Sequence, residues 1–538
     1  MPSRLTSSHN LDHDDLDGSE STEEFDLDDA NFESRGLTTD SYVHRQPSSW
    51  IQSLIRLLPL RRVQRRALYS YTASKRPSHR LYRCQPTCGR RARFLLYSFT
   101  CIITAFVLAT AIFWPSYNDP PEHYRALQRR ALASDENGRG NVDNENIFIA
   151  ASLYDKGGRL VDGTWGRDVL GLIDLLGDTN VFLSIYENDS GPDAEDALKR
   201  YKEKVRCNSN LLYEEHLSTD NMSRVTLPDG SKRIKRIAYL AGVRNRALEP
   251  LNEPSNVTYD KVLFLNDVLF NPVDAIQLLF STNVDRNGEA SYGAACAVDF
   301  INPFKLYDTF ATRDLEGYSM GVPFFPWFSN AGQGLSRKDV LDGKDAVRVK
   351  SCWGGMVAFD ASYLQASQKA VHDNPMPSKI GNDSAQIPDL SEPIRFRAVT
   401  DLDWDASECC LIHADIINSH AQTVPVNAVG IYQNPYVRVA YGPWTLWWLP
   451  ITRRFERLYT IPHTIIDRLV GLPWYNPRRV DFRPSDAKES AERSRGNPKP
   501  EIVSAGGDGY CGLRTLQLLR ETSREGEKNW ETVPVPSE

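Results

Sequence analysis

The chain has 538 residues, of which 41% are hydrophobic and 25% are charged. This length accommodates one large domain, or two ordinary domains, together with accessory segments. The net charge of −7 hides a segregation, because residues 11–33 form an acidic run and residues 56–93 a basic one. A basic stretch can bind nucleic acid, but the segment that follows it favours a membrane protein with no nucleic-acid partner.

Residues 94–114 read FLLYSFTCIITAFVLATAIFW and contain no charged side chain. A helix needs about 20 apolar residues to cross a bilayer, so this segment is predicted to be one transmembrane signal-anchor helix. The alternatives are a buried core helix, which its polar neighbours disfavour, and a cleaved signal peptide, which the long leader disfavours. Arginines crowd its N-terminal side, so the positive-inside rule places residues 1–93 in the cytosol and the rest in a lumen.

Two features after the span agree with a lumenal location. The N-x-[ST] pattern for N-glycosylation occurs at four positions, all after the span: Asn188, Asn221, Asn256 and Asn382. Cysteines in an oxidising lumen are expected to pair in part. The adjacent Cys409 and Cys410 are not expected to pair with each other, because a vicinal bridge strains the backbone. The predicted topology is a single-pass type II protein of the Golgi membrane.

Composition divides the chain into segments with different properties. Residues 1–93 are predicted to be a largely disordered cytosolic tail, and residues 115–144, which follow the span, are predicted to be a stem. A globular lumenal domain is predicted over residues 145–480. The last segment, residues 481–538, is predicted to be a poorly ordered tail.

The predicted domain begins with strands and helices in alternation. Strands are predicted at residues 146–152, 180–189 and 261–267, and helices at residues 164–179, 193–205 and 232–249. Two later apolar segments, residues 293–300 and 352–360, are also predicted to be strands. Alternating strands and helices imply a mostly parallel sheet, so the predicted fold class is α/β.

The predicted strand KVLFLND ends in Asn266 and Asp267. In open α/β sheets, ligands bind at the carboxyl ends of strands, so Asp267 is expected to project into a crevice there. A carboxylate at that place can hold a divalent cation that bridges phosphates. The alternative is that Asp267 caps a turn or a helix, which aspartate commonly does.

The helix that precedes this strand carries the run Arg244, Asn245 and Arg246. Arginine can bind a diphosphate with two parallel hydrogen bonds, and asparagine can donate to a phosphate or a ribose. The alternative is a solvated helix face. The short separation in sequence from Asp267 favours binding of a nucleotide-sugar donor.

Several polar residues further along the chain give weaker signals: Asp299, Asp314, Asp360, Glu408, His413 and Asp415. A lone histidine such as His413 is more often a structural residue than a metal ligand. The segment GYSMG, residues 317–321, has the form of a hydrolase nucleophile motif, which requires a strand before it and a helix after it. Charged residues precede it and prolines follow it, so Ser319 is predicted to lie in a loop.

Together, these blocks resemble the fungal family of cryptococcal α-1,3-mannosyltransferases and capsule-associated proteins, glycosyltransferase family 69. The resemblance covers about residues 145–480 and rests on blocks such as NIFIAASLYD, GVRNRALEPL, VLFLNDVLF, SCWGGMVAFD and SECCLIHADI. It implies a GT-A-like fold, GDP-mannose as donor, a mannose-containing glycan as acceptor, and a divalent cation, preferably manganese. It also implies α-1,3 transfer with retention of configuration in polysaccharide, capsule or cell-wall synthesis.

The resemblance assigns roles to individual residues. The metal and diphosphate ligand is Asp267, the donor-binding residues are Arg244, Asn245 and Asn266, and the candidate catalytic acids are Asp299, Asp314 and Glu408. Many GT-A enzymes have an acid where this chain has Asn266, which leaves the metal ligation open. The family includes proteins known by a capsule phenotype. A non-catalytic scaffold that assists polysaccharide assembly or export is therefore the alternative function.

Overall fold

The computed structural model describes residues 86–253, 257–365, 392–419, 430–474, 476, 478, 508–520 and 528–535. Most of the predicted cytosolic tail and the acceptor sites Asn256 and Asn382 lie outside the described residues. Within the described part of the chain, residues up to 108 and residues from 109 onward belong to two separate compact units.

The apolar segment forms a long helix, α1 (Pro86–Phe113). Its residues 93–113 are long and apolar enough to cross a membrane. Large apolar side chains along it, such as Phe94 and Ile102, are exposed. Among the described residues this is the one candidate span, which is compatible with a single-pass membrane protein.

The remaining secondary structure alternates between helices and strands in the first half of the domain. The other helices are α2 (Glu122–Ala133), α3 (Arg159–Asp162), α4 (Thr164–Leu176), α5 (Pro192–Lys202), α6 (Arg236–Leu248), α7 (Pro272–Ser281), α8 (Leu335–Leu341), α9 (Glu408–Ser419), α10 (Pro443–Thr452) and α11 (Thr460–Val470). Short 3₁₀ helices cover Glu249–Asn252, Ala361–Tyr363 and Glu456–Tyr459. The strands are β1 (Ile147–Leu153), β2 (Val181–Asn188), β3 (Asn208–Glu214), β4 (Arg224–Thr226), β5 (Lys232–Ile234), β6 (Lys261–Leu265), β7 (Ala294–Asn302), β8 (Lys305–Leu306), β9 (Arg313–Asp314), β10 (Val347–Ser351), β11 (Met356–Asp360), β12 (Ile431–Ala440), β13 (Gln517–Leu519) and β14 (Trp530–Thr532).

The central sheet has the strand order β3-β2-β1-β6-β11-β7-β12-β10-β9, with β8 paired to β7. Strands β3, β2, β1 and β6 are parallel, and β12 is parallel to β7. Strand β11 is antiparallel to both of its neighbours, β6 and β7. The predicted α/β class with a mostly parallel central sheet is confirmed, and the antiparallel β11 is an addition that the sequence pattern did not indicate.

Both faces of the sheet are buried, which explains the continuous apolar runs of its central strands. In β1, Phe148 and Ala150 pack into the core on one face, whereas Ile147, Ile149 and Ala151 pack into the core on the other. This alternation follows from the two-residue period of a strand. Strands β1 and β6 are apolar along most of their length, and polar residues follow them at their carboxyl ends, where the candidate site lies.

Two segments that were predicted to lie outside the domain are packed into it. Residues 115–144, predicted to be a stem, include α2, which buries Tyr124, Leu127 and Ala131. In the predicted C-terminal tail, β13 and β14 form an antiparallel hairpin. The buried residues of α2 recur at helical spacing, which is a local signal for a helix, whereas its packing against the domain depends on residues distant in sequence.

Candidate functional site

The carboxyl ends of five strands meet at one edge of the sheet. Strands β1, β2 and β6 are parallel, and β7 and β12 run the same way because the antiparallel β11 lies between β6 and β7. Polar residues end or follow these strands: Asp155, Glu187, Asn266, Asp267, Asp299 and Tyr441. Ligand crevices form at this edge in open α/β sheets, so this edge is the candidate site.

Asp267 follows β6 and combines access to solvent with a desolvating environment. Solvent reaches its side chain, and among the described residues no other side chain is hydrogen-bonded to its carboxylate. The surrounding protein still desolvates the carboxylate, which raises its pKa, while the guanidinium of Arg244 acts in the opposite direction. An accessible carboxylate that is poorly solvated favours a cationic ligand.

The capping alternative for Asp267 can be tested at the next helix, α7. The residue that caps α7 is Asn271, whose Oδ1 accepts a hydrogen bond from Val273 N at 2.9 Å. Asp267 is therefore not the cap of this helix, and its carboxylate stays available at the sheet edge.

Arg244 projects from α6 into a polar and aromatic environment. Its Nε donates to Glu408 Oε1 at 2.9 Å, and its Nη1 donates to Asn266 Oδ1 at 3.3 Å. The guanidinium also lies over the Trp353 ring, with Cζ 4.6 Å from the ring centroid. Planar, weakly hydrated guanidinium groups favour this stacking. These contacts place Arg244 at the end of β6 and hold its guanidinium in one orientation. Its donor-binding role stays a prediction.

A glycine turn positions Trp353 beside Arg244. Gly354 has φ of +62°, and a Cβ at this residue would lie 2.0 Å from Ala297 O, so only glycine fits. Trp353 Nε1 donates to Asn266 Oδ1 at 3.2 Å. The Asn266 side-chain oxygen thus accepts hydrogen bonds from both Arg244 and Trp353, and it positions these two side chains.

Glu408 contacts Arg244 directly, and Asn245 contacts a residue that packs against Trp353. Asn245 pairs with the backbone of Phe396, accepting from its N–H at 2.9 Å and donating to its carbonyl at 2.8 Å. The Phe396 ring packs against Trp353 with centroids 5.7 Å apart. Glu408 is buried at the start of α9 as the ionic partner of Arg244. A donor-binding role for Asn245 and a catalytic role for Glu408 stay predictions that no contact here favours.

Asp299 lies near the end of β7 beside a second buried acid, Asp308. Its Oδ1 accepts from Asp308 N at 3.2 Å, and its Oδ2 accepts from the Tyr441 hydroxyl at 3.2 Å. Burial, followed by the charge of Asp308, raises the pKa of Asp299 to about 7. Burial also raises the pKa of Asp308. Because two adjacent carboxyl groups resist double ionisation, this pair can hold or release a proton near neutral pH.

Asp314, at the end of β9, and Ser319, in the loop that follows, have structural roles. Asp314 Oδ1 accepts from the backbone N–H groups of Glu316 at 2.9 Å and Tyr318 at 2.7 Å, which is typical of an aspartate that forms a turn. The catalytic role predicted for Asp314 stays a prediction that these contacts do not favour. Ser319 Oγ accepts from Trp474 N at 3.2 Å, and the predicted loop around Ser319 is confirmed.

Sequence comparison identifies the family. Residues 146–415 match the family described as Cryptococcal mannosyltransferase 1. The chain belongs to this family. The matched region runs from the start of β1 into α9, so it contains Asp267, Arg244 and their partners, and it supports a glycosyltransferase. No curated protein matches the chain significantly.

Solved structures of two other proteins are also similar to this family member. One is the mannosyltransferase PcManGT from Pyrobaculum calidifontis in complex with GDP-Man and Mn²⁺, with 10% identity and a TM-score of 0.30 over 77% of this chain and 95% of that chain. The other is S. aureus TarS in complex with UDP, with 10% identity and a TM-score of 0.28 over 64% of this chain and 78% of that chain. At these TM-scores neither structure fixes the ligands of this family member.

Sequence reasoning missed two acids at the same sheet edge. Glu187, near the end of β2, is fully buried, and burial raises its pKa to about 7. Asp155 follows β1, and its carboxylate accepts from the backbone N–H groups of Leu160 and Val161 at 2.9 Å. Each acid lies near the carboxyl end of a predicted strand, as Asp267 does. The pattern that pointed to Asp267 could therefore have pointed to both.

The described cysteines form two disulfides, Cys296–Cys352 and Cys410–Cys511. Cys409 is free, so the prediction that it does not pair with its neighbour is confirmed. His413 lies with Cys296 and Cys352 in a group whose ligand atoms are within 4.8 Å of one another. A disulfide leaves no thiolate for a metal, and burial lowers the pKa of His413 to about 4. His413 is therefore a structural residue, as its isolation in sequence suggested.

Asn188 and Asn221 are the predicted glycosylation sites within the described residues. Asn188 is 5% exposed, and its Nδ2 donates to the Tyr239 hydroxyl at 2.7 Å. The burial of Asn188 leaves little room for a glycan on this nitrogen in the folded domain, whereas Asn221 is exposed. Glycosylation stays a prediction, and the geometry favours Asn221.

Proposed function

We propose that this family member is a single-pass type II Golgi glycosyltransferase with a GT-A-like domain, which transfers mannose from GDP-mannose to a mannose-containing glycan. The observation that carries the proposal is the accessible carboxylate of Asp267 near the fixed guanidinium of Arg244. A carboxylate suits a divalent cation, and a guanidinium suits a phosphate. Membership of the mannosyltransferase family supports mannose as the transferred sugar.

A divalent cation, in our proposal Mn²⁺, fits the residues at this edge. Asp267 offers oxygen ligands that solvent and phosphate can reach. Hard cations at diphosphate sites commonly use one or two carboxylates together with phosphate oxygens and water. Asn266 Oδ1 already accepts hydrogen bonds from Arg244 and Trp353. Of the two residues that follow β6, Asp267 is therefore the proposed ligand of the cation. When bound, the cation would neutralise negative charge on the diphosphate.

Arg244 would stabilise the leaving diphosphate. Breaking the bond between the sugar and the diphosphate builds negative charge on the leaving group and positive charge on the sugar ring. A cationic group that is already oriented stabilises that charge without reorganising during the reaction. The ion pair with Glu408 and the stack on Trp353 supply this orientation before a donor binds.

The Asp299 and Asp308 pair is the proposed proton acceptor for the attacking hydroxyl. A group with a pKa near 7 is well matched to proton transfer at neutral pH, and Asp299 has a pKa of about 7 because it is buried. The α-1,3 linkage, the retention of configuration and the role in capsule or cell-wall synthesis rest on the family resemblance.

Isothermal titration of the full-length chain in detergent micelles tests the donor. GDP should bind more tightly than UDP or CMP in the presence of Mn²⁺, and a chelator should abolish most of the binding. Turnover of GDP-mannose should require the same cation. A preference for UDP would remove the mannosyltransferase proposal, and binding of GDP without turnover would favour the scaffold alternative.

Protease protection in sealed microsomes tests the proposed topology. Added protease should remove only the segment that precedes α1, and glycosidase treatment should lower the mass of the protected fragment. The variant Asn221→Gln should reduce that mass shift, because Asn221 is exposed. Digestion of the domain instead would contradict the type II orientation.

A further inference from the structure

Helix α11 has polar residues on its buried side and apolar residues on its exposed side. His463 and Asp467 are buried, and Asp467 Oδ1 accepts from Val322 N at 2.8 Å. The exposed positions recur every four residues and carry Ile461, Ile465 and Leu469, which are 73%, 53% and 65% exposed. A surface helix in water has the opposite arrangement. The exposed side of α11 is therefore suited to an apolar environment.

Helix α10 and the hairpin between β7 and β8 add aromatic side chains. Trp444 and Trp447 are 65% and 62% exposed, and their stacked rings have centroids 5.8 Å apart. Phe304, at the hairpin turn, is also exposed and lies 6.3 Å from the ring of Tyr459, just before α11. The hairpin reaches α10 as well, because Thr445 Oγ1 donates to a carbonyl of β7 at 3.4 Å.

We call these side chains the apolar face: Phe304, Trp444, Trp447, Ile461, Ile465 and Leu469. Isolated exposed apolar residues are normal on proteins, but a group of large ones marks an interaction site.

The chain enters the domain beside the segment that joins α10 to α11. Ser116 N donates to Arg453 O at 3.0 Å, and its hydroxyl donates to the carboxylate of Glu456. Arg453 Nη1 donates to Tyr117 O at 3.2 Å. Helix α1 ends at Phe113, and three residues of extended chain reach at most about 11 Å. The end of the candidate span is therefore tied closely to the two helices that carry the apolar face.

We propose that the apolar face docks on the lipid surface of the membrane that α1 spans, an inference that rests on the proposed membrane anchor. Tryptophan concentrates at the boundary between lipid and water, and helices with one apolar side lie in that boundary. Arg454 and Arg468 are exposed on the connecting segment and on α11, where they match the phosphates of lipid headgroups. The connection between the span and the domain is short in sequence, which keeps the face within reach of a bilayer.

Photo-crosslinking to lipid tests this docking in the full-length chain, reconstituted in phosphatidylcholine vesicles. The photoreactive amino acid p-benzoylphenylalanine is placed at Trp447, at Ile465 or, as a matched control, at the exposed Lys199 of α5. All three side chains are exposed, so the replacements leave the core unchanged. Lipid adducts should form at Trp447 and Ile465 in several-fold higher yield than at Lys199.

Equal yields at the three positions would overturn the docking proposal. Adducts between two protein chains at Trp447, in place of lipid adducts, would also overturn it and assign the face to a second copy. Adding Trp444→Ser to the Ile465 sample should lower its lipid yield several-fold without changing the melting temperature.

Two further measurements on the same vesicles keep this inference separate from the proposed function. Resistance to alkaline carbonate extraction reports the transmembrane anchor, and turnover of GDP-mannose reports the transferase. A chain that resists extraction and forms no lipid adducts at Trp447 refutes the docking and leaves the anchor intact. A chain that is extracted but forms these adducts supports docking and removes the span.

Discussion

Charged side chains have opposite environments in two regions of the molecule. Lys235 and Asp405 form a buried ion pair, whereas Asp267 at the end of β6 is exposed to solvent. Lys235 Nζ lies 2.6 Å from Asp405 Oδ1 and donates to Trp404 O at 2.7 Å. Asp405 Oδ2 accepts from Gln517 N at 2.7 Å. Asp267 is open to solvent and has no comparable set of partners in the described part of the chain. A charge with its partners inside the protein holds the fold, whereas an accessible charge without them is available to a ligand.

Removing one partner of the buried pair should give the largest loss of stability. Lys235→Met leaves the Asp405 carboxylate buried without its cation, so the free energy of unfolding should fall by about 3–5 kcal/mol. Denaturant unfolding of the two proteins measures this. The double variant Lys235→Met, Asp405→Leu should recover most of the loss. A loss as small as that of a surface ion pair would remove the contrast between the two regions.

A change at Arg244 should reduce activity strongly and should also cost some stability, because its ionic partner Glu408 is buried. Arg244→Lys keeps the charge and removes the planar group that pairs with Glu408 and stacks on Trp353. The transfer rate should fall by roughly 10- to 100-fold, since an oriented group is lost at the leaving diphosphate. The control is Arg246→Lys on the same helix, where the arginine pairs with the partly exposed Glu249. Equal rates for the two variants would contradict the role of Arg244.

The pH dependence of stability separates the Asp299 pair from ordinary surface acids. The folded pKa of Asp299 is about 7, above the ordinary aspartate value of 3.8, because burial favours the protonated form. Its contribution to stability is therefore complete below about pH 4 and is lost as the pH rises through about 7. The melting temperature of Asp299→Asn should fall less between pH 5 and pH 8 than that of the wild type. Parallel curves would contradict the assigned pKa.

The smallest effect is expected at the cap of α7. Asn271→Ala removes the hydrogen bond to Val273 N and should cost about 1 kcal/mol of stability, with transfer intact. Thermal unfolding and initial rates measure the two effects. If transfer were lost and stability unchanged, Asn271 and Asp267 would have exchanged the roles assigned to them.

The first part of the fold could be predicted because its signals are local. Strands β1, β2 and β6 are short apolar runs, and α4 and α6 between them have clear helical spacing. The antiparallel direction of β11 and the C-terminal hairpin could not be predicted, because contacts with residues distant in sequence determine both. Cys410 and Cys511, for example, are joined across 101 residues of sequence.

The candidate site also has features that could be predicted from the sequence and features that could not. The position of Asp267 at a strand end and its association with Arg244 followed from the order of one helix and one strand. The hydrogen-bond partners of Asn245 and Asp314 could not be predicted in this way. The backbone of Phe396, which pairs with the Asn245 side chain, lies 151 residues away in sequence. Residue type alone cannot distinguish a side chain that binds a ligand from one that binds a distant backbone.

Asp267→Asn gives the most direct test of the central claim, that the accessible carboxylate at the end of β6 serves the donor. Initial transfer rates from GDP-mannose in Mn²⁺ and melting temperatures should be measured for the wild type, for Asp267→Asn and for Asp196→Asn, which removes an exposed charge on α5. Asp267→Asn should lower the rate by roughly 100-fold or more, with an unchanged melting temperature, because a hard ligand of the diphosphate cation is lost. A rate close to that of Asp196→Asn would contradict the account.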